Sequence, residues 1–204
     1  MALLALLFFA ALSLNLILTF SLGIREIILR ERISIISVYY PWFIIFVSTS
    51  LLWVFFARIL FFTAGIFNYL LMLPFAVLAG FALEKLFFYA INELKKHPPY
   101  KELLIDAADN PGMFTIGSSY SAMTAVALFL TIHFALSFAD ALVLSFAFSA
   151  GGLLAFIILK EIQKRSFLEA IPYGLRGTPI LLISMGLLSL IFSAASVLFI
   201  KIFL

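Results

Sequence analysis

Residues 178–204 read TPILLISMGLLSLIFSAASVLFIKIFL, with Lys201 the sole charge in the stretch. As a helix rising about 1.5 Å per residue, it would be about 40 Å long. The hydrocarbon core of a bilayer is about 30 Å thick and needs about 20 mostly apolar residues per crossing. The same signal recurs at 2–24, 33–60, 67–94, 112–138 and 139–159. The sequence therefore predicts an all-α integral membrane protein of six transmembrane helices, with residues 1–204 forming a single transmembrane domain.

Composition excludes much else. The chain is 65% hydrophobic and 11% charged, against about 45–50% and about 25% for a soluble domain. The 25 phenylalanines suit lipid-facing and core positions. Cysteine is absent, which rules out disulfides and thiolate-held metal or iron–sulfur centres within the chain. His97 and His133 are too few for a histidine-built metal site without carboxylates. The net charge of +3 reads as an orientation signal, not as nucleic-acid binding. No nucleophile–base pair, metal motif or phosphate loop is present, so the chain is at most a non-catalytic subunit of an enzyme. Its first residues lack the basic start of a secretory signal, and a retained helix is expected there.

Short loops carry the orientation. Ten of the 13 basic residues fall after spans one, three and five: Arg25, Arg30 and Arg32; Lys95, Lys96 and Lys101; Lys160, Lys164, Arg165 and Arg176. Basic short loops stay cytoplasmic, so both termini should lie outside. Tyr39, Tyr40 and Trp42 open the second span as an interfacial belt would.

Spans one and four are interrupted by polar residues, Asn15 in one and Ser118-Ser119-Tyr120-Ser121 in the other. Breaks at matching places in two halves suggest a 3+3 inverted repeat with a midplane site between broken helices. Ordinary packing through small and hydroxyl residues is the competing account. Glu84 lies within the third apolar run, where a carboxylate needs a partner or a water path. Ion path, structural pairing and snorkelling to the interface all suit it. His133 suits the interface better than a proton relay. Ser149-Ala150-Gly151-Gly152 permits the close approach of another helix.

Two stretches carry a family resemblance: Asn15 to Gly23, and Ile162 to Phe192 with Lys164-Arg165, Pro172 and Arg176-Gly177. They resemble the membrane subunits shared by the Rnf complex and the sodium-translocating NADH:quinone reductase, in particular the A subunit of the former and the E subunit of the latter. Glu84 matches an acidic position of that family. The resemblance implies a subunit paired with a homologous one of opposite topology inside an ion-translocating electron-transport complex. It also implies two cysteines, one per broken helix, holding an intramembrane iron–sulfur centre.

Here Arg25 and Ser121 occupy those cysteine positions. A guanidinium has no free lone pair and a hydroxyl is a poor substitute for a thiolate. The expectation is a cluster-less relative with no cofactor of its own, iron–sulfur or flavin centres residing in partner subunits. Its setting would be the inner (cytoplasmic) membrane. The alternative is a small six-helix solute transporter or the membrane substrate-binding subunit of one. The candidate midplane or ion-path residues are Asn15, Glu84, Ser118, Ser119, Tyr120 and Ser121. Single cysteines placed at Lys96 and Lys164 in this cysteine-free chain should resist impermeant thiol reagents in intact cells; ready labelling at both would reverse the topology.

Overall fold

The computed structural model describes residues 2–29, 35–57, 67–94, 118–168 and 172–203. The polar stretch 95–117, with Arg30, Arg32 and Arg58, lies outside the described residues. Among those described, every regular element is helical. Helix α1 covers Ala2–Phe8 and continues as a π-helical turn, Phe9–Ser13. Then come α2 (Ile24–Leu29), α3 (Ile35–Phe55), α4 (Phe67–Leu94), α5 (Ser119–Phe134), α6 (Phe138–Leu168), a 3-10 turn at Tyr173–Leu175, and α7 (Thr178–Phe203).

Four helices, α3, α4, α6 and α7, are long and apolar enough to cross a membrane; Leu3–Ser13 and Ser119–Phe134 are shorter apolar helices. At 16 residues, α5 is about 24 Å long, short of a full crossing. Its expected beginning at 112–117 lies outside the described residues. The first span is not one helix: regular structure stops at Ser13 and resumes at Ile24. The fifth, expected to end at Leu159, continues to Leu168. No Gly or Pro intervenes before Pro172, and Arg165 Nε donates to Glu161 Oε1 at 2.9 Å on an exposed turn. Pairs spaced i,i+4 favour the helix, so Lys160, Lys164 and Arg165 ride on its last turns and not in a loop.

The chain divides into two compact units. One comprises Met1–Glu31 with Phe146–Leu204, the other Arg32–Ser145. In the second, α5 packs against both α3 and α4, and α3 against α4. Its centre holds Leu52, Trp53, Phe56, Met72, Ala76, Ala125, Leu128 and Ala141. The alanines let backbones approach closely, which is how helices associate where lipid supplies no hydrophobic drive between them. In the first unit, α7 packs along α1 and its π turn, and Phe8 stacks on Phe199 at 4.3 Å.

The long helices differ in how far they are covered, and α6 begins in the second unit and continues in the first. Of Val38–Phe55 in α3, 56% is buried, against 22% of Leu70–Ile91 in α4; α6 and α7 divide likewise, 56% against 17%. Leu70 is 76% exposed and Leu190 70%. Apolar surface of this extent is unfavourable in water at about 25 cal/mol per Å², and it suits a bilayer.

The turn from α5 to α6 is closed by reciprocal capping. Asp140 N donates to Ser137 Oγ at 3.2 Å, and Ser137 N donates to Asp140 Oδ2 at 2.9 Å. Asp140→Ala should lower unfolding stability by about 1 kcal/mol, read from thermal melts of the purified protein.

Candidate functional site

Each unit contains one of the polar features that the sequence singles out. In the first, Asn15 is wholly buried and forms four hydrogen bonds. Its Nδ2 donates to Ala11 O at 3.1 Å and to Gly151 O at 2.7 Å. Its Oδ1 accepts from Ile17 N at 3.0 Å and Leu18 N at 3.2 Å. Asparagine offers two donors and one two-lone-pair acceptor, so every valence of the amide is used.

The backbone needs this, because residues 14–23 leave the helical path. Leu14 N reaches back five residues to Phe9 O at 3.3 Å. Thr19 N then donates to Asn15 O at 2.9 Å, Thr19 Oγ1 to Ser13 O at 2.8 Å, and Leu22 N to Leu16 O at 3.3 Å. Ser21 (φ 55°) and Gly23 (φ 84°) take left-handed conformations that turn the chain into α2. Leu16 and Ile17 are fully buried. Such backbone at membrane depth is tolerated only when its polar groups are satisfied within protein or by water.

Gly151 is the other half of the contact. A Cβ placed there would lie 2.2 Å from Ala11 O, a backbone atom that no rotamer change can move. The Ser149–Gly152 run thus serves the approach of the π turn that follows α1. Lys160, read in the sequence only as an orientation charge, also has a structural task. Its Nζ donates to Ile27 O at 2.7 Å and to Gln163 Oε1 at 2.8 Å, holding the carbonyl end of α2. No signal in the sequence pairs Lys160 with Ile27, 133 residues away.

In the second unit, Ser118 caps α5. Its Oγ accepts from Ser121 N at 3.2 Å and lies 2.9 Å from Ser121 Oγ. Tyr120 and Ser121 are buried and Ser119 is half-buried. The Tyr120 ring meets Trp42 of α3 edge-on at 6.4 Å. Two residues earlier, Tyr40 stacks on Phe87 of α4 at 5.1 Å and meets Phe88 at 6.2 Å. These ring contacts set the three helices in register, so Glu84, one turn before Phe88, lies level with the first turn of α5. Glu84 is 2% exposed and follows Met72, Ala76 and Gly80 at four-residue intervals along the buried stripe of α4. The structure thus brings Glu84 to the depth of Ser118–Ser121, while Asn15 has its own surroundings in the other unit. His133, exposed, has Nδ1 2.8 Å from Phe129 O.

The donor chemistry does not fit a cysteine-held iron–sulfur cluster. At position 121 the side chain is a hydroxyl engaged with Ser118, and Arg25 stands at the other expected ligand position. No family model matches the chain, and no characterised protein matches it significantly.

Gly151→Ala should therefore destabilise the protein by about 1–3 kcal/mol, the usual cost of overpacking. Asn15→Leu strands buried donors and acceptors costing about 1–3 kcal/mol per group, and should cost more than the roughly 0.6 kcal/mol of one intramembrane hydrogen bond. Thermal unfolding of both variants against the parent protein checks the pair.

Proposed function

We propose that this chain is a membrane subunit of an Rnf/Nqr-type ion-translocating electron-transport complex, of a kind that keeps the scaffold without the cluster. The observation that carries the reading is a shared recipe in the two units. Each sets one short or interrupted helix against two long apolar ones: α1 with α6 and α7, α5 with α3 and α4. In chain order these are span one with spans five and six, and span four with spans two and three. A 3+3 inverted repeat whose halves exchange their first helices has this pairing, and broken first helices are what such repeats place at a midplane site. The resemblance of Asn15–Gly23 and Ile162–Phe192 to that subunit family adds the partner architecture.

In this reading the protein spans the cytoplasmic membrane six times, termini outside, beside a homologous subunit of opposite topology. Redox centres belong to partner subunits. This chain's own residues supply a satisfied helix break at Asn15 and a buried carboxylate, Glu84, level with the Ser118–Ser121 turn, where an intramembrane acid marks an ion path. The rival reading, a six-helix solute transporter or its membrane substrate-binding subunit, draws on the same buried polar residues, since transporters also bind at interrupted helices.

Affinity purification of the tagged chain from its native membrane separates the two. Flavin-binding and ferredoxin-like subunits should co-purify. The isolated chain should contain no stoichiometric iron and no visible absorbance of a cluster. An adjacent ATPase pair, or a co-purifying solute, would replace the first reading with the second, and a cluster in the isolated chain would refute the cluster-less assignment.

A further inference from the structure

Three hydroxyl residues follow one another in α3, Ser48, Thr49 and Ser50, and all are buried. In an apolar helix a hydroxyl ordinarily bonds back to a carbonyl three or four residues earlier. Ser48 Oγ donates to Ile45 O at 3.1 Å and Ser50 Oγ to Phe46 O at 2.8 Å. Those are the two carbonyls within reach of Thr49, at i−4 and i−3. Each also takes a backbone N–H of the helix, so both lone pairs are filled. Thr49 Oγ1 is left without a hydrogen-bond partner among the described residues, and so is Ser145 Oγ of α6. Both residues are essentially sealed from the surface, Thr49 at 0% and Ser145 at 1%.

The two hydroxyls lie at one depth. Helix α3 runs parallel to α5: Trp42 lies against Tyr120, and Trp53 shares an apolar cluster with Leu128. Helix α6 runs back from α5 after the short turn that follows Phe134, so α3 and α6 are antiparallel. Trp53 and Ala141 belong to the same cluster, and Trp53 lies 6.2 Å from Phe138. Four residues back from Trp53 is Thr49, and four residues on from Ala141 is Ser145. Each step climbs about 6 Å in the same direction. At that level α5 presents Ala127, a small and fully buried side chain.

Thr49 and Ser145 thus place two buried hydroxyls at one level with no hydrogen bond between them, and such groups call for a bridging partner. Buried waters sit where polar groups lack partners, and make two to four hydrogen bonds. We infer that a water molecule is bound between Thr49 and Ser145, in a polar chamber within the α3–α5–α6 packing. The inference stands apart from the subunit assignment, because it rests on the two buried hydroxyls and the helix packing around them.

Pulsed hydroxyl-radical footprinting of the purified full-length chain tests it, since radicals formed from a bound water oxidise the side chains around it. Leu128 and Leu144 are buried near that depth; Leu16, equally buried in the other unit, is the control. Leu128 or Leu144 should be oxidised several-fold faster than Leu16. Thr49→Val and Ser145→Ala should each bring that rate down to the control, because either removes a ligand of the same water. Equal oxidation of all three leucines in the unaltered protein overturns the inference without reference to any variant. Oxidation that persists in both variants overturns it as well.

Discussion

A peptide group without a hydrogen bond is far more costly in hydrocarbon than in water, and the architecture follows from where this chain breaks that rule and how it recovers. Helices meet the requirement within themselves. The segment from Leu14 to Gly23 does not, and one amide compensates. By giving two protons and accepting two, Asn15 replaces the helical bonds lost at the break and ties the break to Gly151. The glycine is the steric half of the same bargain: the carbonyl of Ala11 occupies the space of its missing Cβ. A serine or leucine at 15 would supply at most part of this set, and any side chain at 151 would push the π turn away before the amide could reach.

Around such breaks the two units use lipid as their outer layer. Two of the long helices, α3 and α6, are more than half buried, and the other two, α4 and α7, are mostly uncovered. The inner faces mix alanine, glycine and hydroxyl residues with larger apolar side chains, and close van der Waals approach holds helices together where lipid is the surrounding medium. Glu84 sits on such a face, in step with Met72, Ala76 and Gly80, a placement that makes it part of the packing and not a lipid-facing anomaly.

The apolar runs were legible because they rest on a single bulk property, hydropathy, that no tertiary contact overrides. The start of the last helix at Thr178 agrees with the reading, while the residues after Leu94 lie outside those described. The extension of α6 to Leu168 is not legible from charge alone, because charge marks loops and exposed helix faces alike; here Glu161 and Arg165 support one another along a helix. Asn15 stood out as a polar residue in an apolar run, but its partner did not. Nothing local in Ser149–Gly152 names Ala11, and nothing near Lys160 names Ile27. Nothing in the sequence separates Thr49 from Ser48 and Ser50; only the count of carbonyl lone pairs does. Residues 95–117, the most polar stretch of the sequence, lie outside the described residues.

The length of α6 has a mechanical meaning. Its 31 residues make a rod of about 46 Å, roughly 16 Å longer than the hydrocarbon it would cross. The surplus belongs to the end that bears Lys160, Lys164 and Arg165. Charges on a floppy loop sample the headgroup layer at any height, but charges on a continuous rod stand at fixed rungs about 1.5 Å apart. Lys160 is bonded inward to Ile27, and Arg165 stands about 7.5 Å further along the rod. The basic end of α6 is therefore a rigid mast, with its charges held at fixed heights beyond the apolar length of the same helix.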